Sequence, residues 1–382
     1  MAESAGRVPG KRNILLTPGP TPVPESVRAV MAGPVIHHRT PQYRKIFESA
    51  AGRLKKVFLT GNPVYTITGS GTSAMEAAIV NFHSAGEEIL VAEGGKFAER
   101  FTDLAKAFAL KAAVLKVPYG EAVNPAAIGD ALKKNPNLKS VCVQLCETST
   151  AVAQDVKAIA AIVSKTNALL IVDAISGLGA DRLETDRWGV DLVIAGSQKA
   201  LMLPPGLAFL SVSEKARKRL DAASLPRFYL DLKLYEKGLK DWDTPFTPAL
   251  TLVIGLDKAL SMIEKEGLEN VFRRSAELGE FTRRRLDALG LKLFSKAPSA
   301  ALSAAFVPDG IDGEKLVKIM RDEKGVTMAG GQGERLKGRI VRIAHMGAVT
   351  REDLEEGIRV LEETLRELGY KTNPKIKMQR SK

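Results

Sequence analysis

Cysteine is nearly missing from this 382-residue chain. Cys142 and Cys146 are the two present, four apart in the apolar stretch SVCVQLCE, with no second Cys or His pair nearby to complete a metal site. No metal is expected, and the thiols read as buried and reduced. Long apolar runs are missing too. None approaches the ~20 residues of a membrane-spanning helix, and the opening MAESAGRVPGKRN lacks the apolar centre of a secretory signal. No membrane association is expected, and the cytoplasm is the expected location. Aromatics make up only 5% of the chain. Lysine and arginine number 56 against 44 acidic residues, a formal +12, but the basic residues are spread along the sequence. The one concentrated tract, KTNPKIKMQRSK at the C-terminus, reads as a solvated tail. Without clustered cations and interleaved aromatics a nucleic-acid partner is not expected. An enzyme that gathers small anions by its positive potential fits the same charge.

What is present is a chain 45% hydrophobic and 26% charged, long enough for one large domain and a smaller one. The runs EEILVAE, KAAVLKVPY, LKSVCVQLC, NALLIVDAI and VDLVIAGS are short, continuous and rich in Val, Ile and Leu. That pattern suits strands covered on both faces, hence a mainly parallel sheet between helices. Between them lie helical segments such as TSAMEAAIVNFHS, where Met75, Ala78, Ile79 and Phe82 keep helical spacing. The fold class is α/β with right-handed crossovers. Beyond Gly267 the texture changes to a long charged helix, LENVFRRSAELGEFTRRRLDAL, then weaker strands at LKLFSKAP, ALSAAFVP and GRIVRIAHMG, and a last amphipathic helix near REDLEEGIRVLEETLREL. This predicts a smaller C-terminal α+β domain over residues 266–382, after a large domain over 25–265. The Pro-rich start LLTPGPTPVPESV is too stiff and donor-poor for a central strand or helix, so residues 1–24 read as an arm laid over a surface.

Three features carry chemistry. Lys199 follows the strand-like run VDLVIAG at the place where open α/β sheets hold their ligands. A lysine partly desolvated there becomes a nucleophile toward carbonyl groups; an isolated surface lysine at a strand end is the plainer reading. Asp173 closes the apolar run ALLIVD, either as a cap for the next turn or as a buried anion that holds a ring-nitrogen proton. The stretch TGSGTSAMEAA, Thr68 to Ala78, opens a helix with a glycine-rich, hydroxyl-rich turn, serving as an ordinary N-cap or as a phosphate cup. It has neither the lysine of a Walker A loop nor the spacing of a dinucleotide fingerprint. Together the three offer a phosphate site, a pyridinium partner and a carbonyl-reactive lysine.

With LLTPGPTPVP, GSGTSAMEAA, LLIVDAISGLG, GSQKALMLPPGLAFLSVS, FYLDL, TPFTPALTL and VRIAHMG, the chain resembles the class V aminotransferases. It is most similar to the branch of the alanine–glyoxylate, serine–glyoxylate and serine–pyruvate enzymes, and the likeness runs from about Leu15 to Leu365. The resemblance implies fold type I, pyridoxal 5′-phosphate as cofactor, small amino acids and 2-oxo acids as substrates, and a homodimer with shared active sites. It makes Lys199 the Schiff-base lysine and Asp173 the pyridinium partner. Ser70, Gly71, Thr72 and Gln198 fall at the phosphate, Thr148 near the cofactor's 3′-oxygen, and Ile175 among the other cofactor contacts. Arg342 becomes the clamp for the substrate carboxylate, and Thr247 reaches the phosphate of the neighbouring subunit.

Two positions depart from the family pattern. Phe97 stands where some relatives stack a tryptophan on the ring, and Ala151 stands where many have glycine, which predicts a slightly crowded loop. Tyr229 and Trp242 read as packing residues at an edge of the site or of a subunit surface. His37 and His38 are adjacent, which points their rings apart in extended chain. His345, three past Arg342, either shapes the carboxylate site or packs. Competing functions are an aspartate- or phosphonate-using transaminase and a non-catalytic subunit on the same fold, since relatives of this branch include hydrogenase-associated subunits. A desulfurase is disfavoured because no cysteine follows Cys146 to accept sulfur.

Overall fold

The computed structural model describes residues 13–371, so most of the basic tail lies outside the described residues. Seven strands form the central sheet, in the spatial order Val64–Gly69, Gly206–Val212, Leu192–Gly196, Leu169–Asp173, Ser140–Gln144, Glu88–Glu93 and Lys111–Lys116. Gly206–Val212 runs antiparallel to both its neighbours, and the remaining pairs are parallel. The near-continuous apolar strands are explained by their alternation. Leu169 and Ile171 feed one core while Leu170 and Val172 feed the other, and Leu192 and Ile194 against Val193 and Ala195 repeat the division. Helix Gly71–Val80 covers one face with Met75, Ala78 and Ile79, joined by Phe82 just beyond its end. Helix Val156–Val163 covers the other with Val156, Ile159, Ala160 and Val163.

The C-terminal part is built on a three-stranded antiparallel sheet, ordered Leu302–Phe306, Ile340–Ala344, Ala329–Gly330. Helices Leu268–Ala288, Gly313–Asp322 and Arg351–Glu367 place Phe281, Leu316, Met320, Leu354, Ile358 and Leu361 in one core with Val341 and Ile343. The last helix opens with a capping box between Thr350 and Asp353, which satisfies donors at its start. The expected strand at LKLFSKAP is reduced to two isolated bridges, Leu293 with Ala305 and Pro298 with Val152, because Lys and Ser interrupt its alternation. We propose to keep the domain boundary after Lys265. Helix Leu250–Glu266 packs with Tyr43, Phe47 and Leu54 of the large part, and Gly267, at φ +84°, separates it from the helix that follows.

The N-terminal arm is more than a surface strap. Ile14–Leu15 pairs in parallel with Val326–Thr327 of the C-terminal part, and Leu16 and Thr21 are buried. From there the prolines carry the chain across the end of the central sheet. Thr21 N–H donates to the Gln198 carbonyl at 3.0 Å and its hydroxyl to the Lys199 carbonyl at 2.8 Å. Stiffness serves this path, since a proline-fixed backbone loses little further entropy on being held.

Candidate active site

The C-terminal ends of the parallel strands converge on a cavity of about 220 Å³. Its walls include nine of the residues singled out above: Ser70, Gly71, Thr72, Phe97, Thr148, Asp173, Ile175, Gln198 and Lys199. Two larger grooves, of about 590 and 580 Å³, lie farther out beside Tyr119 and Arg335. They are open, and Lys96 and Lys116 in the second are already paired with Glu99 and Glu93. The smaller cavity is the one with a buried nucleophile.

Lys199 sits in the turn between strand Leu192–Gly196 and its antiparallel neighbour. Ser197 shapes that turn, donating its hydroxyl to the Pro204 carbonyl at 2.7 Å and accepting from Leu207 N–H at 3.2 Å. Pro204, Pro205 and Gly206 return the chain to the sheet. Gly206 is at φ +141°, and a Cβ there would meet Leu252 at 2.4 Å. The Lys199 amine is buried and donates to the Pro18 carbonyl of the arm. Burial lowers it to about 8, a shift opposed by the attraction of Asp173. Gly19 leaves the room it occupies, since a Cβ there would lie 2.2 Å from Nζ.

Asp173 ends strand Leu169–Asp173 and accepts from Ile175 N–H at 2.9 Å. The capping role expected of it is therefore met while the side chain also lines the cavity. Burial raises its carboxyl to about 6, against the lowering effect of that hydrogen bond. At the far end, Ser70 makes no side-chain cap for helix Gly71–Val80, which leaves the first N–H groups of the helix open to an anion. Gln198 Oε1 is buried without a hydrogen-bond partner. Thr148 and Ser176 share a 2.7 Å hydrogen bond between their hydroxyls.

Arg342 and Thr247 stand outside the cavity wall. Arg342 lies buried in strand Ile340–Ala344. It donates from Nη1 to the Thr148 carbonyl at 3.0 Å, and from Nε and Nη2 to the Gly330 carbonyl at 3.0 and 2.8 Å. Burial lowers it to about 10, so it stays charged at neutral pH. A guanidinium has five N–H groups, so one remains on each terminal nitrogen, the pair a carboxylate takes in a forked contact. Thr247 is exposed, next to an aromatic group in which Phe246 packs on Phe228 at 5.6 Å and stacks on Tyr229 at 5.1 Å. Tyr229 also donates to the Thr68 carbonyl at 3.0 Å. Trp242 packs, half-buried, against the large core.

Four contributors escaped the sequence reading. Arg100 lines the cavity one helical turn past Phe97, a spacing visible in KFAER. Ser176 lines it as the partner of Thr148. Glu147 is buried at the start of helix Lys96–Ala107 and accepts from Ala98 N–H and Ser149 N–H, both at 2.9 Å, and from the Ser149 hydroxyl at 2.6 Å. It thereby fixes the turn that presents Phe97, and its carboxyl is raised by burial. Its signal was a lone carboxylate beside Thr148. The fourth, the Pro18–Gly19 contact, joins residues far apart in the chain, and no spacing announces it.

One expectation needs correction, and one open alternative is decided. His37 and His38 do not point apart: the chain turns there and the ring centroids lie 4.7 Å from each other. His345 takes the packing alternative, with its ring nitrogens 3.0 Å from the Ser303 hydroxyl and 2.8 Å from the Ala300 carbonyl, and burial lowers it to about 3. Ala151 is buried with a left-handed backbone, φ 58°, a conformation in which glycine is at ease. Both cysteines are buried free thiols raised by burial, Cys142 to about 12. Among the described residues no helix is long and apolar enough to cross a membrane.

Fold and site together define an α/β protein in which an uncapped helix start, a buried amine and a buried carboxylate line one cavity. The profile of the class V aminotransferases matches residues 24–356, and the chain belongs to that family, a fold type I group whose cofactor is pyridoxal 5′-phosphate. It is 42% identical to the soluble hydrogenase small subunit of Synechococcus sp. (strain PCC 6716), over 94% of each chain. It is 35% identical to the serine–glyoxylate aminotransferase of Methylorubrum extorquens, over 97% of this chain and 95% of the relative. The crystal structure of alanine–glyoxylate aminotransferase from Nostoc sp. superposes with a TM-score of 0.90 at 29% identity, covering 96% of this chain and 98% of that one.

The residues present suit that cofactor by their donor chemistry. An open helix start with two hydroxyls suits its phosphate, a buried carboxylate its ring nitrogen, a phenyl face its ring and a buried amine its aldehyde.

Proposed function

We propose that this protein is a pyridoxal-phosphate-dependent aminotransferase that moves the amino group of a small L-amino acid, serine or alanine, to glyoxylate or pyruvate. The observation that carries this reading is the company of Lys199: one small cavity holds its amine, the Asp173 carboxylate and the uncapped helix start. When bound, the cofactor supplies an electron sink for the pair released from the substrate Cα–H bond.

The chain's own residues do the rest. With its pKa lowered to about 8, Lys199 has a neutral fraction of roughly a tenth at pH 7, enough to act as the base that takes the Cα proton and returns it. Asp173, ionised above about 6, keeps a positive charge at a ring nitrogen beside it. The two free N–H groups of Arg342 receive the substrate carboxylate and fix the direction of the Cα–H bond. Thr247 and the exposed Phe228 and Tyr229 form the surface we assign to a second copy of the chain, in a homodimer with shared sites.

The name of the 42%-identical relative favours a second reading, a non-catalytic subunit on the same fold. Supplying the cofactor-loaded protein with L-serine, L-alanine, L-aspartate or 2-aminoethylphosphonate, each with glyoxylate or pyruvate, separates the two. Product amino acid from serine or alanine, lost in Lys199→Ala, supports the transaminase. Aspartate or the phosphonate as best donor would correct the substrate, and no product from any pair would put the subunit reading first.

A further inference from the structure

We propose that Arg100 is a binding residue for the cofactor's phosphate, an inference that rests on the cavity being a pyridoxal-phosphate site. Arg100 lies on helix Lys96–Ala107 and lines the cavity. Its Nη1 donates to the Thr72 hydroxyl at 3.2 Å, which places the guanidinium at the helix-start end of the cavity. Its central carbon stands 5.1 Å from the centroid of the Phe97 ring, a cation–π contact that holds the side chain in this place.

Among the described residues no ion pair is recorded for Arg100, although its neighbours Lys96 and Lys116 pair with Glu99 and Glu93. A half-buried guanidinium on a cavity wall, with Asp173 in electrostatic range but no carboxylate at ion-pair distance, is an anion site with room for a closer partner. One of its five N–H groups is used by Thr72, which leaves four for phosphate oxygens. The Thr72 hydroxyl, accepting from Arg100, keeps its own proton to donate to the same anion. Helix start, hydroxyl and guanidinium thus face one point, and a dianion there is met by a full positive charge as well as by partial ones.

The test compares phosphorylated with unphosphorylated ligand. Cofactor-stripped wild type, Arg100→Met and Arg100→Lys are titrated with pyridoxal 5′-phosphate and with pyridoxal, following ligand absorbance, and melting temperatures confirm that each variant is folded. Loss of charge-assisted bonds to the phosphate should raise the Kd for pyridoxal 5′-phosphate about 10- to 100-fold in Arg100→Met and leave that for pyridoxal within about threefold. Arg100→Lys should recover part of the loss. Should the Met variant fail to fold, Arg100→Lys decides, with several-fold weaker binding of the phosphorylated ligand alone.

Equal weakening of both ligands would overturn the proposal and reduce Arg100 to a prop for Phe97. Unchanged affinity together with lost reactivity toward aspartate would overturn it in favour of a substrate role. A wild type that binds neither ligand would overturn the reading of the site itself.

Discussion

Replacing Lys199 with methionine should abolish amino transfer and make the cofactor-free protein more stable. The amine is buried, and its pKa falls from 10.5 to about 8. At about 1.4 kcal/mol per unit, the ammonium therefore costs about 3 kcal/mol at pH 7 relative to a neutral side chain. Methionine has similar length and no charge to desolvate. It forgoes the hydrogen bond to the Pro18 carbonyl, worth about 1 kcal/mol, so the net gain should be about 2 kcal/mol. The sign follows from the depressed folded-state value. The penalty is fully present below about 8 and fades as the pH rises toward 10.5, where the unfolded lysine also loses its proton. Urea unfolding of stripped wild type and Lys199→Met at pH 7 and pH 10 should show the variant ahead at pH 7 and nearly level at pH 10. A variant less stable than wild type at pH 7, or a gap that does not change with pH, would refute the reasoning.

Arg342→Lys keeps a charge but loses the fork, and should raise the KM for the amino donor about tenfold or more while cofactor absorbance is unchanged; a change confined to kcat would count against the clamp. Gly19→Ala puts a Cβ into the space of Nζ on a backbone at φ +133°, and steady-state turnover should drop at least about tenfold. Turnover equal to wild type would mean that the arm does not hold the lysine. Glu147→Gln leaves one acceptor where the carboxylate serves three backbone N–H groups and a hydroxyl, and urea unfolding should show a loss of about 2 kcal/mol. Equal stability would show that the start of the Phe97 helix needs no anion.

The strands that end at the cavity were legible because burial on both faces demands continuous Val, Ile and Leu, as in LLIV before Asp173 and LVIA before Gly196. Val64–Gly69 is as buried over its first four residues but carries Tyr65, Thr66 and Thr68, which mask it in a search for such runs. LKLFSKAP erred the other way, its few apolar residues suggesting a strand where two isolated bridges form. Within the site, Lys199, Asp173 and the turn at Ser70 were visible because each interrupts an apolar pattern with a group that has chemistry to do. Arg100 and Glu147 look like ordinary helix-surface charges in one dimension. Only the fold shows that the first faces the cavity and the second is buried against backbone donors. The contact of Pro18 with Lys199 spans 181 positions, and nothing local encodes it.

If Lys199 is the residue joined to the cofactor, chemical trapping will mark it. The protein is loaded with pyridoxal 5′-phosphate, reduced with borohydride to lock the lysine–cofactor bond, digested and sequenced by mass spectrometry. A phosphopyridoxyl group is expected on the peptide spanning Gly196–Leu203, at Lys199 alone, and should be lost when L-serine or L-alanine is added before reduction. Label scattered over surface lysines, or found on another single lysine, would contradict that role of Lys199.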